Sequence, residues 1–141
     1  MAALTLGQAN SLIEAALAAA RQAGHKPMAV AVLDEAGHLK AAQREDGASM
    51  LRIDIAVGKA WASVGMGASS RALAERAKGN PNFFTSLAAT AHGRFLAQTG
   101  AVLIKDDSGA VLGAVGASGG TGDEDEAICI AGVQAIGLQH G

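Results

Sequence analysis

The segment AVLIKDDSGAVLGAVGAS, residues 101–118, commits this chain to an antiparallel hairpin. Two runs rich in Val, Leu and Ile flank Asp-Asp-Ser-Gly. In such a turn the Asp side chains hydrogen-bond back to the backbone, and the glycine accepts a positive φ. A second pair lies upstream. Met28–Asp34 is short and Val-rich, Glu-Ala-Gly-His turns the chain, and His38–Arg44 returns. Two hairpins far apart in sequence can satisfy their edges by joining one sheet.

Helical patterns fill the rest. Residues 4–27 form an amphipathic segment with Leu6, Ile13, Leu17 and Ala20 on one face. Thr5 and Gln8 have the spacing of a capping box, and Gly24 followed by Pro27 ends the helix. Residues 49–67 place Ile53, Val57, Ala60, Trp61 and Val64 on a second stripe. A third helix starts at Ser69 or Ser70 and stops at Gly79. A fourth takes Asn80 as N-cap and Pro81 at its first position, with Gly93 just past its end. In the closing helix, Thr121 and Glu124 repeat the capping-box spacing, and Asp123–Glu126 place negative charge where the helix dipole favours it. The order is α-β-β-α-α-α-β-β-α. It predicts an α+β domain spanning residues 1–141, an antiparallel sheet flanked by helices.

Composition bears on assembly and partners. With one Trp, three Phe and no Tyr, the interior must be built from small residues that each bury little area. The final helix is apolar almost all round, through Ala127, Ile128, Ile130, Ala131, Val133 and Ile136. Both features predict a homo-oligomer, a dimer or larger. A net charge of −2 gives no footprint for nucleic acid. No run of 18 apolar residues exists to span a membrane, and the start lacks the basic region of a signal peptide. The single Cys129 rules out an internal disulfide, and a cytoplasmic protein is the expectation.

Chemistry-bearing residues concentrate in four places. The stretch GHLKAAQREDGA puts His38, Lys40, Ala42 and Arg44 on one face of a strand. Lys40 and Glu45 suit a solvated edge. Arg44 either pairs with Asp46 or holds a ligand carboxylate in bidentate fashion. Lys59 lies beside an apolar stripe and either snorkels to water or enters a cavity as an anion anchor. The glycine-rich loop GASGGTGDEDE fits neither phosphate-binding fingerprint, and its acids repel phosphate. There Asp125 and Glu126 are helix caps or acid/base groups in a pocket shared with Lys59 and Arg44. Ser118, His92 and Asp125 supply triad residue types with no nucleophile elbow around the serine. Cys129 reads as a small buried hydrophobe. No histidine spacing suits zinc.

Three stretches in order, VAVLDEAGHLKAAQREDGA, DIAVGKAWASVG and GAVLGAVGASGGTGDEDEAICIAG, resemble the GlcG/HbpS-like family, related to the C-terminal domain of PduO-type proteins. The resemblance implies a profilin-like α/β/α sandwich with four to five antiparallel strands, an oligomer, and a small-molecule ligand. The ligand it implies is haem, bound and in some members degraded. Under it, His92 and His38 are the candidate iron ligands, and Arg44 and Lys59 the candidate propionate anchors. The alternative is a cofactor-free enzyme on a small carboxylated metabolite. There Arg44 and Lys59 hold the anion, and Asp125, Glu126 or His92 moves a proton. Two departures stand out. His92-Gly93 replaces a Gly-Gly pair of many relatives, and no Glu-x-x-Glu iron motif is present.

Overall fold

The computed structural model describes residues 3–141. The first helix, α1 (Leu6–Ala23), leads into the hairpin β1 (Ala29–Asp34) and β2 (Leu39–Arg44). Three helices follow: α2 (Leu51–Met66), α3 (Ser70–Gly79) and α4 (Pro81–Thr90). The second hairpin is β3 (Ala101–Lys105) and β4 (Val111–Ser118), and α5 (Gly122–Ala135) and a two-residue β5 (Gln139–His140) close the chain. The expected element order holds, and β5 is added at the edge. The five strands form one antiparallel sheet in the order β2-β1-β4-β3-β5.

Both faces of this sheet are covered, which explains why β1, β3 and β4 read as nearly unbroken apolar runs. On one face, Val30, Val32, Val102, Ile104 and Val115 pack with Leu12, Ile13 and Ala16 of α1 and Ile128 and Val133 of α5. On the other, Leu33, Leu103 and Ala114 pack with Ala60 of α2. A third cluster, Leu73, Phe84 and Phe95 among its members, joins α3 and α4 to the end of α2. The small residues serve close approach. A Cβ on Gly116 of β4 would lie 2.2 Å from the carbonyl oxygen of Ala56, so α2 rests its backbone directly on the strand.

Most caps form as their sequences predict. Thr5 and Gln8 make the reciprocal capping box of α1, Thr121 and Glu124 that of α5, and the Ser69 hydroxyl caps α3. Two local expectations shift. Leu6, the first helical residue, is 54 % exposed; Leu4, ahead of the cap, is buried in the core instead. Helix α4 ends at Thr90, earlier than Gly93 implies. His92 itself adopts a left-handed backbone, φ 56°, and Gly93 follows at φ 76°.

Candidate functional site

The inner end of β4 meets the first turn of α5 and the buried side of α2. There Lys59 is only 5 % exposed. Its Nζ donates to the Ala117 carbonyl oxygen at 3.0 Å and to Asp125 Oδ2 at 3.0 Å. Asp125 is 2 % exposed, and its Oδ1 accepts the Gly120 N–H at 2.9 Å. A buried charge needs such a partner to remain charged away from water. Gly100, at φ 136°, presses on the pair: a Cβ there would come within 2.6 Å of Lys59 Nζ. Lys59 therefore neither snorkels nor stands as a free anchor; its anion is the chain's own carboxylate.

Arg52 lies seven residues before Lys59, on the same face of α2. Its Nη1 donates to the buried Ser118 Oγ at 3.2 Å. Arg52, Lys59, Gln98, Ser118, Gly120 and Asp125 are among the residues lining a cleft of about 590 Å³. Asp123 at its rim is ion-paired to Arg71 of α3, which also meets both oxygens of Glu126 at 3.1 Å. The hydrogen bonds that Arg71 donates, to Glu126 first and to Asp123 second, raise its guanidinium above its ordinary pKa. Glu126 is thus held at the α3–α5 junction and does not line the cleft.

The other residues singled out in the sequence lie elsewhere. Arg44 is exposed, and its Nη1 donates to the Ala48 carbonyl oxygen instead of pairing with Asp46. It borders a separate depression of about 410 Å³ with Arg21, Glu45 and Asp46. Glu45 is no solvated edge residue: it pairs with Arg21 at 3.0 Å and accepts the Met28 N–H at 2.8 Å, tying α1 to the hairpin. The His38 side chain is 81 % exposed, 3.9 Å from Asp34. His25 is held by Glu124 at 3.1 Å, and His140 sits on β5. His92 lines a third cleft of about 360 Å³, with Trp61, Met66, Leu87, Arg94 and Phe95. Ser118 and Asp125 do not border that cleft, so the three triad residue types share no pocket. Trp61 and Phe95 meet edge to face at 6.5 Å, and the Arg94 guanidinium lies 4.7 Å from the centre of the Trp61 ring. No group of three or more His, Cys, Asp or Glu able to hold a metal occurs among the described residues.

Sequence reasoning missed Arg52 and Arg94. The signal for Arg52 was its seven-residue spacing from Lys59, which returns a helical residue to the same face. Arg94 carried no signal, because it lies in an irregular segment whose neighbours only the fold supplies.

The architecture defines a class: an α/β/α sandwich with a continuous antiparallel sheet and clefts where helices meet strand ends. Residues 4–134 match the model of the HbpS-like family, described as haem-degrading protein HbpS-like, and the chain belongs to that family. Among solved structures it is similar to a PduOC–haem complex, with 25 % identity, 97 % of each chain covered and a TM-score of 0.86. It is also similar to a double mutant of Streptomyces reticuli HbpS, with 30 % identity, 95 % of this chain and 87 % of that one covered, and a TM-score of 0.82. Klebsiella pneumoniae protein ORFY, 22 % identical, shares the fold over 97 % of this chain and 93 % of its own, with a TM-score of 0.87. No curated protein matches the chain. Among the described residues, no helix is long and apolar enough to cross a membrane.

Proposed function

We propose that this protein binds haem, with the ring against the cleft between α2 and α4 and the iron facing His92. One observation carries the proposal. His92 borders a mainly apolar cleft, and it does so from a left-handed backbone that non-glycine residues seldom adopt. His25 is engaged by a carboxylate, and His38 projects into water.

The residues present fit the group. Imidazole is the common axial ligand of haem iron. Trp61, Met66, Leu87 and Phe95 offer an apolar wall to a planar ring. Arg94, already fixed over Trp61 and donating to Ala91 at 3.2 Å, is the cation placed to meet a propionate. When bound, haem would supply an iron centre with redox and ligand-binding chemistry; His92 would offer the ligating imidazole, Trp61, Met66, Leu87 and Phe95 the apolar wall, and Arg94 the counter-charge. The crystallised haem complex of a relative with 25 % identity supports the same ligand. Lys59 and Arg44 have no part in this proposal, since neither borders this cleft.

Hemin titration followed at the Soret band tests it. The expected result is saturation at a defined stoichiometry, lost in His92→Asn, a substitution that tolerates the left-handed backbone. Broad absorbance that never saturates, or a Soret band unchanged in His92→Asn and abolished in His38→Ala, overturns the assignment.

A further inference from the structure

The cleft at the end of β4 takes no part in the proposed haem site, yet its donors are incompletely used. A guanidinium carries five N–H donors, and Arg52 gives one to Ser118 Oγ. It forms no ion pair among the described residues. An ammonium has three donors; Lys59 gives two, to Ala117 and Asp125. Both side chains line the same cleft of about 590 Å³.

The charges around that cleft are matched except at one position. Asp125 is answered by Lys59, and Asp123 by Arg71. Arg52 is left over, half-buried and oriented by a serine that is 1 % exposed. Gln98 and Thr99 add neutral hydrogen-bonding groups to the lining.

We infer that this cleft is a second ligand site, for a small organic monocarboxylate held by the fork of Arg52. A planar carboxylate matches two parallel guanidinium N–H groups. The remaining Lys59 donor and the Gln98 carboxamide stand on the same lining for a further polar group of the ligand. The two aspartates set the charge selectivity. A monoanion is neutralised by Arg52 alone, whereas a phosphate dianion brings excess negative charge close to Asp123 and Asp125. Of the anion anchors expected from the sequence, Lys59 lines this cleft beside Arg52, whereas Arg44 borders a different depression.

The test is an amide-resolved NMR titration of the haem-free protein with sodium acetate, against sodium chloride at equal ionic strength and against inorganic phosphate. Acetate is expected to saturate in the millimolar range, about the affinity a four-atom ligand can reach, with shifts centred on residues 118–121. Arg52→Lys keeps the charge and removes the fork; it is expected to weaken acetate by about tenfold. Ser118→Ala, which frees the guanidinium without discharging it, should weaken acetate less. His92→Asn should leave acetate binding unchanged, so the haem proposal is judged independently. Shifts that never saturate, that chloride reproduces, or that survive intact in Arg52→Lys overturn the inference. Tighter binding of phosphate than of acetate overturns the carboxylate class.

Discussion

Removing the ammonium from the Lys59–Asp125 pair should be among the most destabilising single changes available to this fold. Lys59→Met keeps most of the buried methylene stem and deletes the charge. Asp125, 2 % exposed, would then face only the Gly120 N–H, and the Ala117 carbonyl would lose its donor. Breaking a buried ion pair from one side costs about 3–5 kcal/mol, because the remaining charge cannot be resolvated. A domain of this size has about 5–15 kcal/mol in total, so the variant folds with a reduced margin. With a urea m-value of about 2 kcal/mol/M, the midpoint should fall by about 2 M. Asp125→Asn retains an acceptor for Gly120 and strands the lysine, at a similar cost. The double variant removes both charges. It should be less destabilised than the sum of the singles by about 2–3 kcal/mol, as expected for groups in direct contact. Urea unfolding followed by circular dichroism measures all four corners of the cycle. If Lys59→Met costs less than about 1 kcal/mol and the two effects add, the two charges do not share a dry contact.

Three further outcomes follow from the same geometry. Gly116→Ala pushes a Cβ toward the Ala56 carbonyl oxygen, a backbone atom that cannot rotate away; a loss of about 1–3 kcal/mol in thermal or urea unfolding is expected, and a neutral result would show that α2 does not lie flat on β4. Cys129 is fully buried, and desolvation first, then the Asp125 charge, pushes its thiol pKa up. The folded state therefore holds this proton more tightly than the unfolded chain, whose thiol titrates near about 8.5. This contribution is present below that value and is lost as pH rises past it, and iodoacetamide should label Cys129 at pH 8 only in urea. The aromatic-poor core, with Leu39 61 % and Met50 75 % exposed, leads us to propose self-association; light scattering on the eluting peak should give a mass of at least two chains, and a monomer at micromolar concentration would refute it.

The elements were readable where their signals are local. Hairpin turns, capping boxes and terminal glycines act over three or four residues, and the Asp106 and Thr121 side chains make the backbone contacts their sequences imply. The end of α4 was harder. Gly93 is a plausible stop, but the chain turns left-handed one residue sooner, at His92, which no glycine rule predicts. The two-residue β5 also escaped notice, since its pairing with Ile104 and Lys105 depends on where the chain end is carried.

Site residues demand knowledge of which surface covers which face, and strand alternation does not supply it. Alternation grouped His38, Lys40 and Arg44 on one face, but the register between β1 and β2 shifts at Lys40, where Val32 faces Ala41 and Leu33 faces Leu39, and that bulge interrupts the alternation. Alternation also did not reveal that β2 is an edge strand, or that Arg21 of α1 would claim Glu45. Lys59 and Asp125 were each singled out, but their contact spans 66 residues, and so it depends on α2 and α5 converging on the end of β4. Once they converge, a free lysine becomes half of an internal pair. The unmatched positive charge then moves one heptad along α2, to Arg52. That transfer follows from charge balance: a buried carboxylate recruits the nearest cation, and the next cation on the same helical face keeps its donors free of any internal carboxylate.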